Sequence, residues 1–216
     1  AGLPVRERTI TVLPFRSPTI DEVFSGLGRG LPIETGGILT IRGRKLLGDV
    51  TRISINGVEQ TPAPQDMSDT EIKIALPPGL SCGINSLQIV HKLMLGSPPA
   101  EHRGFESNVA ALVVSPKITI VTANGVSFKI DIDPPVRVSQ RATLLLNHVP
   151  SGASHIFSIA PVSIDTPQIV FPVFGLVSGQ QYFVRLRVDG AESSLLDLNP
   201  ASPTFKQFIQ PQVTIP

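Results

Sequence analysis

Short runs rich in Val, Ile and Thr, broken about every ten residues by Pro, Gly, Asn or Ser, are the feature that most limits what this chain can become. Such runs are too short, and too often alternating, to build the 3.6-residue stripe of an amphipathic helix, so the pattern predicts an all-β protein. Proline supports this: 21 prolines in 216 residues is about twice the usual share, and without a collagen-like period they punctuate strands. Apolar residues make up 41% of the chain and charged ones 16%, a balance that excludes disorder for most of it and calls for a packed core.

The length suits one large sandwich or two ordinary domains. Ser17-Pro18-Thr19-Ile20 returns as Ser115-Pro116-Lys117-Ile118, 98 residues later, close to the ~100 residues of one immunoglobulin-type sandwich. The expected organisation is therefore two tandem immunoglobulin-like β-sandwich domains, over 17–116 and 117–216, after an extended segment 1–16. The abrupt start in Leu3-Pro4-Val5-Arg6 reads as a cut through a longer polypeptide. Strands are expected over 9–13, 19–24, 38–42, 52–56, 71–75, 86–95 and 108–114 in the first domain. In the second they are expected over 117–122, 126–132, 142–147, 155–159, 168–171, 181–189 and 207–215.

Several local signals sharpen these assignments. Asn56-Gly57 accepts the positive φ values of a type I′ hairpin turn. Leu87, Ile89, Leu93 and Leu95 fall on one face of a half-buried strand, and 96–106 follows as a polar loop. Tyr182, Val184, Leu186 and Val188 alternate with polar neighbours, and the segment Leu176 to Tyr182 has the form of a tyrosine corner, in which the hydroxyl bonds back to upstream backbone.

Chemistry is harder to find. Net charge is +1, and a split at Pro116 gives eleven basic and eleven acidic residues, then seven and six, so neither part has the footprint of a nucleic-acid binder. No apolar stretch approaches the ~20 residues of a membrane-spanning helix. The single cysteine, Cys82, has no partner for an intramolecular disulfide and no local histidine, so it reads as a small buried residue. His91, His102, His148 and His155 show no zinc spacing. Asp131 and Asp133 share one side of a strand end, but a Ca²⁺ ion needs six to eight oxygens, and a turn is the simpler reading. Gly26-Leu27-Gly28-Arg29-Gly30 runs into Leu31-Pro32 instead of opening a helix, so it is a connection and not a phosphate cradle. No catalytic residue, cofactor or metal is expected. The candidate partner surface comprises His102, Arg103 and Phe105, on the long connection over 96–106, together with Arg42 and Arg44, which share a strand face.

Gly36-Gly37-Ile38-Leu39-Thr40-Ile41-Arg42-Gly43, Ile55-Asn56-Gly57 and Leu76-Pro77-Pro78-Gly79-Leu80 resemble the IPT/TIG branch of immunoglobulin-like folds over residues 17–116. The chain as a whole, from Leu3-Pro4-Val5 through Ser115-Pro116-Lys117-Ile118 to Pro211-Gln212-Val213-Thr214-Ile215-Pro216, resembles the C-terminal portion of a bacterial domain-of-unknown-function family. That family is encoded beside phage-tail-like contractile injection systems, and its members serve as cap or tail-terminator proteins. The resemblance implies a non-catalytic structural module with sheath, tube or baseplate proteins as partners, located in the bacterial cytoplasm within an assembled particle. It also implies that an N-terminal domain contacting sheath and tube precedes this region. The IPT/TIG resemblance alone implies an alternative, a carbohydrate- or surface-binding accessory module of a secreted protein, against which stands an aromatic content of only 5%.

Overall fold

The computed structural model describes residues 17–216; the expected strand over 9–13 and the segment 1–16 lie outside the described residues. The first eight strands are β1 (Thr19–Ser25), β2 (Ile38–Arg44), β3 (Val50–Ile55), β4 (Val58–Gln60), β5 (Glu71–Ala75), β6 (Gly83–Leu95), β7 (Ala100–Glu106) and β8 (Ala110–Val114). They form one sheet in the order β1-β2-β5 facing another in the order β4-β3-β6-β7, with β8 also paired to β6. The next eight are β9 (Lys117–Ala123), β10 (Ser127–Val136), β11 (Ala142–His148), β12 (Ser154–Ser158), β13 (Thr166–Pro172), β14 (Gln181–Val188), β15 (Ala191–Glu192) and β16 (Gln212–Thr214). They repeat the plan: β13-β10-β9 faces β12-β11-β14-β15, with β16 also on β14. The chain is thus two tandem all-β sandwiches, and no helix of the described residues is long and apolar enough to cross a membrane.

Alternation builds each core. In β3 and β5 every second residue is buried, and the first sandwich closes over Leu39, Ile41, Ile53, Ile72, Leu87 and Ile89. The second closes over Phe128, Ile130, Leu144, Phe171, Tyr182 and Leu186. Each such side chain contributes about 1.5–3 kcal/mol by leaving water. The turn at Asn56-Gly57 has positive φ at both residues, 49° and 83°, as its sequence requires. The Tyr182 hydroxyl accepts a hydrogen bond from the Val177 N–H at 3.4 Å, which pins the loop before β14.

Three expectations fail. The region read as a polar loop is mostly strand: β7 pairs with the far half of β6, Leu93 opposite His102 and Leu95 opposite Ala100. Its charges belong to an edge strand rather than to a loop. The single-face reading of β6 also breaks, because the register shifts between Val90 and Lys92, so that Val90 and His91 are both buried while Leu95 lies out on the hairpin. Finally, 207–215 is not one strand; after β15 the chain makes a long series of turns and re-enters the sheet only at β16.

Ile33 forms a parallel bridge to Val114, and its carbonyl accepts the Ser115 N–H at 2.8 Å, which fastens the end of the first sandwich; side chains then tie the two sandwiches together. Thr35 Oγ1 donates to Asp133 at 2.5 Å, and Arg137 Nη2 donates to the Gly79 carbonyl at 3.1 Å. Cys82, from the first half of the chain, lies in the hydrophobic core of the second sandwich.

Candidate functional site

A groove of about 1060 Å³ lies where the two sandwiches meet. One wall is the connection from β1 to β2, closed on itself by Gly26 N–H to the Ile38 carbonyl at 2.6 Å and by Gly37 N–H to the Glu34 carbonyl at 3.1 Å. Gly36 takes a φ of +72° there, which is the reason for a glycine at that point of the turn. The opposite wall is β9, from Lys117 to Val121, and the end is closed by 196–199 and 210–212.

That closing segment is a compact loop organised by one carboxylate. Asp197, 6% exposed, accepts the Asn199 N–H at 3.0 Å and the Thr204 hydroxyl at 2.7 Å. Its backbone N–H reaches the Gln207 carbonyl at 3.0 Å and its carbonyl receives the Lys206 N–H at 2.8 Å. Hydrogen bonding from Ser202 and Thr204, with the Asn199 amide, holds the Asp197 carboxyl below the ordinary carboxylate range. The loop presents Phe208, 71% exposed and bridged to Leu196, beside a second recess of about 550 Å³ that shares Pro32, Ser194 and Leu196 with the groove. In this recess the Arg185 guanidinium pairs with Glu192 and donates to Asn147 Oδ1 at 2.8 Å.

Inside the groove the distinctive group is Glu34. Burial pushes its carboxyl above the ordinary glutamate value, Lys117 pulls it back in part, and Asp133 adds to the rise. Among the described residues no hydrogen-bond donor meets this carboxylate, so it is available to accept from hydroxyls or amides of a bound molecule. Lys73 lines the groove as well, 3.6 Å from Glu71.

The residues singled out from sequence lie elsewhere and do not converge. Arg42 and Arg44 do share the outer face of β2; Arg42 pairs with Glu71 at 2.7 Å and lies 5.4 Å from the Phe24 ring centroid, and Arg44 pairs with Asp21 at 3.2 Å. His102, Arg103 and Phe105 are on β7, in the other sheet, where Arg103 pairs with Glu106 at 2.5 Å. Asp131 accepts from Gln168 Nε2 at 2.5 Å, while Asp133 is taken by Thr35 of the other sandwich. His91 is buried against the Leu46 carbonyl at 3.0 Å. His148 and His155 each pack against the Tyr182 ring, with centroids 5.2 and 5.8 Å away, and His148 is also bonded to Ser151 and Gln180. Cys82 is buried, and burial with the nearby Asp133 and Asp189 pushes its thiol up to about 12. The glycine run 26–30 forms turns at the groove wall.

A family described as a domain of unknown function (DUF8756) matches residues 110–214, from β8 to β16. No curated protein matches the chain. Among solved structures, one determined with a xylogluco-oligosaccharide is similar over 82% of this chain and 40% of its own, at 14% identity and a TM-score of 0.42. SGBP-B from a complex xyloglucan utilization locus in Bacteroides uniformis is similar over 88% of this chain and 49% of its own, at 15% identity and a TM-score of 0.30. A segment of two fibronectin type III domains from chicken tenascin is similar over 82% of this chain and 94% of its own, at 15% identity and a TM-score of 0.35. The chain therefore spans less than half the length of the first two. Likenesses this distant bear on the fold alone.

Proposed function

We propose that this chain is a non-catalytic binding module whose groove, where the two sandwiches meet, holds an extended neutral polar ligand, with an oligosaccharide as the favoured class. The observation that carries the reading is Phe208: a ring 71% exposed in the recess that adjoins the groove and shares Pro32, Ser194 and Leu196 with it. An aromatic face beside hydrogen-bonding groups suits a pyranose, whose axial C–H bonds stack while its hydroxyls bond to polar neighbours. Glu34 supplies an acceptor without a donor of its own, and Asn199 and Thr119 add neutral polar groups along the walls. The scarcity of aromatic residues matters less once one of them stands in the recess beside the groove.

The test is isothermal titration of the full chain against a panel of neutral oligosaccharides, xylogluco-oligosaccharides among them, with Phe208→Ala in parallel. Binding that Phe208→Ala weakens about tenfold, as loss of one stacked ring worth ~1–1.5 kcal/mol implies, supports the reading. Absence of binding across the panel overturns the ligand class.

The resemblance to injection-particle caps offers a second reading, a structural module of a cap protein, and the dense seam around Thr35, Asp133, Cys82 and Gln140 is what favours it. Association of the full-length parent with sheath and tube proteins tests it. A structural module needs no groove, and for that reason the binding reading stands first.

A further inference from the structure

Exposed edges of β-sheets invite another strand, and proteins guard them with charge, proline or a covering segment. Most edges here are guarded in this way. β1 carries Asp21 and Glu22, β5 carries Glu71 and Lys73, and β4, β7, β9 and β15 each bear at least one charged residue. β13 has a proline near each end, at 167 and 172. Two further uncharged strands are covered: β8 lies beside β1 and is bridged by Ile33, and β16 lies beside β9.

β12 has neither charge nor proline, and although it lies close to β13 of the facing sheet, among the described residues no segment pairs with its outer edge. Its five residues, Ser154-His155-Ile156-Phe157-Ser158, include no charge and no proline, and the strand pairs on one side only, with β11. It lies within residues 142–164, which contain no Asp, Glu, Lys or Arg at all. The Ile159 N–H bonds to the Ala142 carbonyl and the His148 N–H to the Ala153 carbonyl, so residues of odd number turn their backbone toward β11. By alternation, the N–H and C=O groups of Ser154, Ile156 and Ser158 face away from the sheet. Ile156 also exposes 66% of its side chain, opposite Leu145 on β11.

The chemistry of the strand reads the same in both directions: serine, ring, isoleucine, ring, serine. We propose that β12 is a self-association edge, at which two copies of this chain pair β12 to β12, antiparallel, about a twofold axis through Ile156. In that register Ile156 faces Ile156 of the second copy, and each Ser154 faces a Ser158; these are the hydrogen-bonded pairs, so every outward backbone group finds a partner. His155 faces Phe157 in the non-hydrogen-bonded pairs, where side chains approach most closely and ring pairs contribute most. Phe157 already meets Phe174 edge-on at 5.4 Å, and Phe174, 79% exposed, lies next to the strand that the second copy would add. The contact is isologous and closes on itself, giving a dimer with one continuous sheet and not a fibre.

Sedimentation equilibrium of the 216-residue chain at micromolar concentration tests this. The expected result is a dimer whose mass falls twofold in Ile156→Lys, with an unchanged circular dichroism spectrum, because the substituted side chain projects into solvent in the monomer. Ile156→Cys provides the second readout. Its two Cα atoms would lie at about 5.5 Å, within disulfide reach, so mild oxidation gives a covalent dimer linked at position 156 while Cys82 stays reduced. A monomeric wild type, a dimer that persists in Ile156→Lys, or failure of Ile156→Cys to cross-link would each overturn the proposal.

Discussion

The side-chain amide of Gln140 donates to the backbone carbonyl of Cys82 at 2.9 Å, and with that bond a residue of one sandwich holds a segment of the other inside its own core. Gln140 Oε1 also accepts the Arg137 N–H at 2.9 Å, so a single buried side chain closes both sides of the seam.

Gln140→Leu leaves the Cys82 carbonyl and the Arg137 N–H without partners. Loss of two such bonds at a buried site costs about 2 kcal/mol, to be read from the denaturant midpoint. The same variant exposes Cys82 to thiol reagents, whereas the wild-type thiol stays unlabelled under native conditions at neutral pH.

Cys82 also sets an alkaline limit. Its thiol is raised from 9.0 to about 12 in the folded chain, so the stability that the protonated thiol contributes is fully present below pH 9 and is lost as pH rises through about 12. Thermal melts across that window are expected to fall for the wild type and to fall less for Cys82→Ala.

Glu34 acts with the same sign at acid pH. Its folded value lies above 4.5, so the carboxyl is most favourable to folding when protonated and costs stability once ionised. Glu34→Gln is expected to raise the melting temperature at pH 7 by about 2 °C and to leave it unchanged at pH 4. The same substitution weakens ligand binding in the groove if its carboxylate accepts from the ligand.

Asp197 has the opposite sign. Its carboxyl lies below 3.8, so its contribution is present above that value and is lost as pH falls through the folded value. Asp197→Ala removes the bonds from Asn199 and Thr204, and with them the fixed position of Phe208. Ligand affinity is expected to drop about as much as in Phe208→Ala, with both sandwich cores intact by the near-ultraviolet spectrum.

Gly43→Ala tests the packing of the first sandwich. A Cβ there would run into the Thr19 carbonyl oxygen and lie 2.9 Å from Leu46 Cδ2, where β1 crosses close to β2. Backbone cannot give way as a side chain does, so the variant is expected to lose about 3 kcal/mol in chemical denaturation.

Gly43 also shows what the sequence made legible. Glycines bracketing a buried strand, as Gly36 and Gly43 do, signal close backbone approach or positive φ, Asn56-Gly57 signals its own turn, and the alternation from Tyr182 to Val188 signals its face; all are local requirements that residue type satisfies. β7 stayed hidden because an edge strand carries charges, and charged residues near prolines look like a loop. The location of Cys82 was hidden because burial in a neighbouring sandwich leaves no periodic trace. The groove is the extreme case. Glu34 and Asn199 belong to different sandwiches, far apart in sequence, and Phe208 stands on a loop whose order comes from one carboxylate rather than from any repeating pattern.

Amide chemical-shift mapping of the labelled chain during titration with a neutral oligosaccharide tests the central claim most directly. The expected shifts fall at Glu34, Thr119, Asn199 and Phe208, on both sandwiches at once, and saturate together. Saturable shifts confined to another surface, or none with any oligosaccharide of the panel, would contradict it.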